Sequence, residues 1–141
     1  MIRLVKTKND LIKSYQLRKQ VFIDEQKISY EDEFDLKDDE YDVFLLIIKK
    51  KAVATLRCKP TSEGLKVGRV CTLKEYRNKG YARLLMEKME EVARNKACLQ
   101  IFLEAQLSAL AFYEKLGYKA YGDVFLDANI EHKKMVKKIS S

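Results

Sequence analysis

The chain has 141 residues, a formal net charge of +7, and apolar and charged shares of 47% and 35%. That is enough for one domain (1–141) with its own hydrophobic core, and it is too apolar for a disordered chain. No apolar run reaches the roughly 20 residues of a membrane span, and the opening "MIRLVKTKND" lacks a signal peptide's apolar stretch, so the expected location is the cytoplasm.

"MIRLV" reads as a short first strand. Thr7 followed by Asp10 resembles a capping box, and Leu11, Tyr15, Arg18 and Phe22 on one side predict a helix running to about Asp24. From Tyr30 to Asp42 the chain carries eight acids and one lysine, a local charge of −7 against +14 for the remainder. Such a strip suits a cationic ligand, while the basic remainder suits a phosphorylated cofactor or a nucleic acid; an acidic run is equally an ordinary solvated loop.

"VFLLIIK" and "AVATLRCK" are β-branched apolar runs separated by "KKK", which predicts an antiparallel hairpin. Pro60, the sole proline, falls in an expected turn, "KPTSEG", and "LKVGRVCTL" follows as a third strand of the series. Tyr81, Leu85, Met89 and Val92 recur at helical spacing from Lys79 to Ala93. Leu99, Ile101 and Leu103 alternate with Gln100 and Glu104 as in a strand; Leu107 to Leu116 reads as a helix stopped by Gly117. "YKAYG" and "IEHKKMVKK" close the chain as strands. The fold class is α/β with a mixed, mostly antiparallel sheet and helices.

The stretch "EYRNKGYARLL" places chemistry at a helix start. A helix N-terminus presents N–H groups without intrahelical partners and a partial positive charge, which suits phosphate. Gly80 permits close backbone approach, Ala82 leaves room in the first turn, and Arg77 and Lys79 add charge. The bland alternative is a glycine that eases a loop into a helix beside solvated basic residues. Cys58, Cys71 and Cys98, with one histidine, form no zinc pattern, so they are expected as reduced thiols and no metal is expected.

The succession "VGRVCTLKEYRNKGYARLLMEKMEEVAR", an apolar strand, then "ALAFYEKLGY" resembles the GNAT superfamily of acetyl-CoA-dependent N-acetyltransferases. "LRKQVFIDEQKISYEDEFD", "ATLRC", "GRV" and "IEHKKM" extend the resemblance over nearly the whole chain, toward its ElaA-like branch. It implies the GNAT fold, acetyl-CoA as cosubstrate, and direct transfer to a small-molecule or peptide amine in a ternary complex. It also implies an irregular strand near Val70 to Thr72, where two strands splay to admit the cofactor.

By the same resemblance, Val70, Cys71 and Thr72 lie along the thioester arm, and Arg77, Asn78, Lys79, Gly80, Tyr81 and Ala82 wrap the pyrophosphate. Phe112 and Gln106 belong to the cofactor side, and Tyr113 matches the tyrosine that protonates the departing thiolate. Tyr113 also fits plain aromatic packing on the inner face of its helix. Glu25, Glu104 and His132 are the candidate bases, and the residues do not choose among them. Cys71 as a covalent nucleophile is set against the family's direct transfer and its own apolar strand.

An acidic strip bordering the acceptor pocket would draw in a cationic amine. Neutralising Glu31, Asp32, Glu33 and Asp35 is then expected to raise the acceptor KM. The alternative to an enzyme is a non-catalytic acetyl-CoA-binding or sensing module on the same fold. A nucleic-acid binder is disfavoured, because the positive residues are spread out and no binding motif accompanies them. Family members are often homodimers, and no membrane partner is expected.

Overall fold

A computed structural model describes residues 1–140 of the chain. In order the elements are β1 (Ile2–Leu4), α1 (Lys8–Arg18), a π-helical stretch (Lys19–Glu25), α2 (Tyr30–Glu33), β2 (Asp42–Ile48), β3 (Lys51–Thr61), β4 (Gly64–Thr72), α3 (Tyr81–Asn95), β5 (Gln100–Gln106), α4 (Leu110–Lys115), β6 (Lys119–Asp127) and β7 (Ile130–Lys138). The seven strands make one mixed sheet in the order β1-β2-β3-β4-β5-β7-β6. The chain divides into two compact units, Met1–Lys59 with Arg69–Glu87, and Pro60–Gly68 with the described residues from Lys88.

In the first unit Thr7 caps α1, its hydroxyl accepting from the Asp10 N–H at 3.1 Å as the capping box predicts. The helix does not run regularly to Asp24. At Lys19 it widens into the π-helical stretch, and the wider turn lets the adjacent residues Val21 and Phe22 both face the core. They join Leu17, Leu45, Ile47, Cys71 and Leu73 in one apolar cluster.

The β2–β3 hairpin pairs Ile48 with Lys51 around Lys49 and Lys50, whose φ values of 49° and 68° both lie in the left-handed region. A two-residue turn of this hand matches the twist of the strands it joins, which is why lysines occupy positions that Asn-Gly would fill more readily. Beneath the hairpin, the Thr55 hydroxyl donates to the Phe44 carbonyl at 2.8 Å and accepts from Ser14 on α1, also at 2.8 Å. This buried chain fixes how α1 lies on the sheet.

In the second unit β4 runs parallel to β5, with Leu65 opposite Ile101 and Lys66 opposite Phe102. The alternation along β5 buries Ile101, Leu103 and Ala105. Leu99 does not belong to it: it precedes the strand and is 74% exposed. Pro60 lies in β3, not in the turn, near the strand's end where a missing N–H disturbs the ladder least. The helix predicted from Leu107 begins as a 3₁₀ turn and becomes α4 at Leu110; Gly117, at φ 97°, ends it. β6 runs to Asp127, beyond the predicted "YKAYG", and its register with β7 shifts between Tyr121 and Phe125.

Candidate active site

The loop before α3 is built by its backbone. Asn78 and Gly80 adopt φ values of 62° and 82°, so the chain turns twice into the left-handed region before entering the helix. A Cβ on Gly80 would meet nothing within 4 Å, so its φ, and not crowding within the chain, calls for glycine. The Leu84 N–H bonds to the Gly80 carbonyl at 3.1 Å, which puts Gly80 at the N-cap with no side-chain oxygen to offer the first N–H groups. No acid stands in the first turn of α3. Donors, dipole and open space at this helix start suit a phosphate group.

The Arg77 guanidinium is engaged within the protein. Its Nη1 and Nη2 donate to Glu25 Oε2 and Oε1 at 2.9 and 2.7 Å, and its Nε donates to the Thr72 carbonyl at 3.0 Å. Two residues that the sequence assigns to different tasks, a base candidate and a phosphate-loop arginine, are thus one ion pair.

β4 carries an irregularity directly before the expected stretch. Arg69 has φ 53°, a conformation that costs a non-glycine residue about 1–2 kcal/mol, and the preceding Gly68 does not take it up. After this turn come Val70, half-buried, then Cys71 and Thr72, at 5% and 9% exposure. Burial among apolar side chains, with Glu33's charge as a lesser cause, pushes the Cys71 thiol far above its ordinary value. It is a packing residue with almost no thiolate to offer a thioester.

The acidic segment is largely paired. Buried Arg18 donates from Nε to Glu33 Oε1 at 2.7 Å and from Nη1 to Asp38 Oδ1 at 2.6 Å. Arg57 reaches both Asp35 oxygens, at 2.6 and 3.1 Å, and Asp38 at 3.2 Å, while its guanidinium lies 4.1 Å from the Tyr41 ring centre. Arg69 Nη2 donates to the carbonyls of Asp32 and Glu33 at 3.2 and 3.0 Å, and its Nε lies 2.8 Å from Glu33 Oε2 in ionic contact. Burial pushes the Glu33 carboxyl above its usual value despite Arg18 and Arg69, whereas the Arg57 hydrogen bonds hold Asp35 well below the carboxylate range.

This network divides the acidic strip into paired and solvent-facing carboxylates. Three of its carboxylates neutralise arginines, and Glu31, Asp32, Asp39 and Glu40 remain exposed, Glu40 at 3.4 Å from Lys59 Nζ. Neutralising Glu33 or Asp35 would strand buried arginine charge, so that substitution does not isolate acceptor binding. The pairing of Glu33 and Asp38 with their arginines is not legible in the sequence, since nothing in their spacing marks which charges are buried.

The second unit holds the other candidates. Tyr113 is 7% exposed and packs edge-on against Phe112 and Tyr118, with ring centres 4.9 and 5.8 Å away. The Tyr118 hydroxyl is buried and without a hydrogen-bond partner among the described residues; burial pushes its ionisation up. On the sheet, Gln106 stands opposite His132 and Glu104 opposite Lys134. Glu104 is exposed, whereas His132 is buried under the Phe125 ring. His132 Nδ1 lies 2.7 Å from the Ile130 carbonyl; an oxygen that only accepts fixes the proton on Nδ1 and leaves Nε2 to carry any basicity.

Comparison with known proteins adds three kinds of likeness. A family model described as an acetyltransferase (GNAT) domain matches residues 11–139. The chain is 30% identical to YjcF of Bacillus subtilis, named as an uncharacterised N-acetyltransferase, over 95% of its own length and 96% of the relative's. It is 30% identical to a crystallised Lactobacillus plantarum protein assigned to the N-acetyltransferases, with TM-score 0.92 and coverage of 99% and 98%. At the level of fold, Escherichia coli ElaA matches at TM-score 0.85 with 23% identity, covering 97% and 99%. An aminoglycoside 6′-N-acetyltransferase crystallised with coenzyme A matches at 0.76 with 17% identity, covering 100% and 98%.

Proposed function

The chain belongs to the GNAT family of acetyltransferases, and from that premise we propose that it moves an acetyl group from acetyl-CoA directly to a primary amine within a ternary complex. The observation that carries this reading is the Asn78–Gly80 turn, which leads into a helix start free of a capping side chain and of acids. Its N–H groups hold the pyrophosphate, with Lys79, Tyr81 and Ala82 lining the approach, and Arg77 holds the loop's shape by its grip on Glu25 and Thr72. Coenzyme A in a neighbour of the same fold supports the choice of donor.

In the reaction the amine nitrogen's lone pair attacks the thioester carbonyl carbon. Charge on the carbonyl oxygen is met by a strand N–H of the Val70–Thr72 stretch, the carbon–sulfur bond breaks, and the nitrogen's surplus proton leaves to a base. Phe112 and Gln106 line the donor's pantetheine side. Tyr113 supplies the proton that the departing sulfur takes up. Glu104 receives the amine's proton, directly or through water. It is favoured because Glu25 has both oxygens bonded to Arg77, and His132 is buried beneath a ring. The buried, hard-to-ionise Cys71 argues for direct transfer over an acetyl-cysteine.

The test is thiol release from acetyl-CoA against polyamines, amino acids, amino sugars, aminoglycosides and peptide N-termini, with the product identified. Acetylation of one class establishes the reading; acetyl-CoA that raises the melting temperature but never yields an acetylated amine points to a sensor.

A further inference from the structure

β4 places its left-handed residue at Arg69 although Gly68, which tolerates that conformation at no steric cost, stands immediately before it. The chain therefore uses a side chain at the turn. That side chain is gripped by α2: Nη2 bonds the Asp32 and Glu33 carbonyls at 3.2 and 3.0 Å and lies 3.4 Å from Asp35 Oδ2, while Nε lies 2.8 Å from Glu33 Oε2. Glu33 is itself fixed, bonded to Arg18 of α1 at 2.7 Å and 2% exposed. Asp35, the remaining acid of the grip, is held by Arg57 of β3 at 2.6 Å. Eight residues after Arg69, Arg77 takes hold of the Thr72 carbonyl at 3.0 Å with Glu25 behind it. The stretch from the turn at Arg69 to the carbonyl held by Arg77 is Val70, Cys71 and Thr72, and Cys71 is locked in the core cluster.

We propose that Arg69, held by Glu33 and the carbonyls of α2, is a positioning residue that sets the direction of the Val70–Thr72 N–H groups toward the acetyl carbonyl. The inference rests on the acetyl-transfer reading above. A donor has to meet a developing oxyanion within a few tenths of an ångström, and a free strand end does not hold that direction. The acidic segment thereby serves the donor side: its Glu33 fixes the strand through an arginine.

Arg69 is partly exposed, so its substitution leaves the core intact. Arg69→Asn keeps a residue that tolerates the left-handed turn and removes the grip; Arg69→Lys keeps the charge. The readouts are CoA affinity by calorimetry, the infrared carbonyl band of bound [1-13C]acetyl-CoA, and kcat for an amine found in the screen above. In Arg69→Asn the carbonyl band returns toward its free position and kcat falls about 10²-fold. CoA affinity stays within about twofold of wild type, because CoA carries no acetyl carbonyl for these N–H groups to meet. Arg69→Lys recovers part of both. Arg69→Asn with an unshifted band and wild-type kcat overturns the proposal. So does a loss of CoA affinity equal to the loss of kcat, which marks a general structural role. If Arg69→Asn does not fold by circular dichroism, Arg69→Lys, which keeps a charge beside Glu33 and loses the guanidinium's grip on the two carbonyls, decides by the same readouts, and a wild-type band and kcat there overturn the proposal. A wild-type protein that binds neither CoA nor acetyl-CoA overturns the donor reading itself and this proposal with it.

Discussion

Glu25 and Arg77, 52 positions apart, meet in a two-point ion pair with contacts of 2.7 and 2.9 Å, and the same guanidinium donates to the Thr72 carbonyl. The end of the π-helical stretch, the end of β4 and the loop before α3 are thus fastened together by one side chain. Both partners are about one-third exposed, so the pair adds little to stability, about 0–1 kcal/mol. Its effect lies in the shape of the loop.

Glu25→Gln is expected to raise the acetyl-CoA KM severalfold while kcat stays within about threefold, because the loop loosens and no proton acceptor is lost. Steady-state kinetics at saturating amine check this. A kcat that collapses, with the acidic limb of its pH profile gone, would restore Glu25 as the base.

Gly80→Val forces a β-branched residue to φ 82° at the helix start. The strain of about 1–2 kcal/mol is small enough for the fold to survive, and the branched side chain fills the space from which N–H groups reach the donor. Acetyl-CoA should no longer raise the melting temperature, although circular dichroism remains that of wild type.

Tyr113→Phe keeps the ring that packs against Phe112 and Tyr118, and removes the hydroxyl. Turnover should fall about 10²-fold with acetyl-CoA affinity unchanged, since an acid acts on the departing sulfur and not on the bound ground state. Comparison of kcat with a directly measured Kd separates the two.

Acid should weaken the fold through Asp35. Its carboxyl is held below the usual range by Arg57, so the folded state binds its proton later than the unfolded chain does. The stabilisation is fully present above the unfolded value of about 4 and is lost as pH falls through the lower, folded value. Glu33 acts oppositely: burial raises it, so protonation on acidification relieves a cost. Asp35→Asn is therefore expected to lower Tm at pH 7 by more than at pH 3, and a gap independent of pH would refute the assignment.

The sequence exposes features whose cause is local. Thr7 with Asp10, the alternation at Ile101 and Leu103, and the glycine at the start of α3 each announce themselves within a few residues, because capping, pleat and left-handed turns depend on neighbouring backbone. The brace around β4 is made otherwise. Arg18, Arg57 and Arg69 meet Glu33, Asp35 and Asp38 only after α1, β3 and β4 have been laid together, so the same string of acids reads equally as a solvated loop. The turn at Arg69 was hidden for a related reason: Gly68 beside it is the residue that local preference would choose. Leu99 misled by fitting the alternation while standing outside the strand.

The π-helical stretch from Lys19 to Glu25 has a consequence for how relatives are to be compared. A π turn accommodates one residue more than the α turn it replaces, and an insertion of a single residue is the simplest way for a lineage to acquire one. A homologous chain with an ordinary α turn here would carry the acid that meets the loop arginine one position away from the place that gapless alignment assigns to Glu25. Across such a pair, identity at this position and equivalence of role come apart.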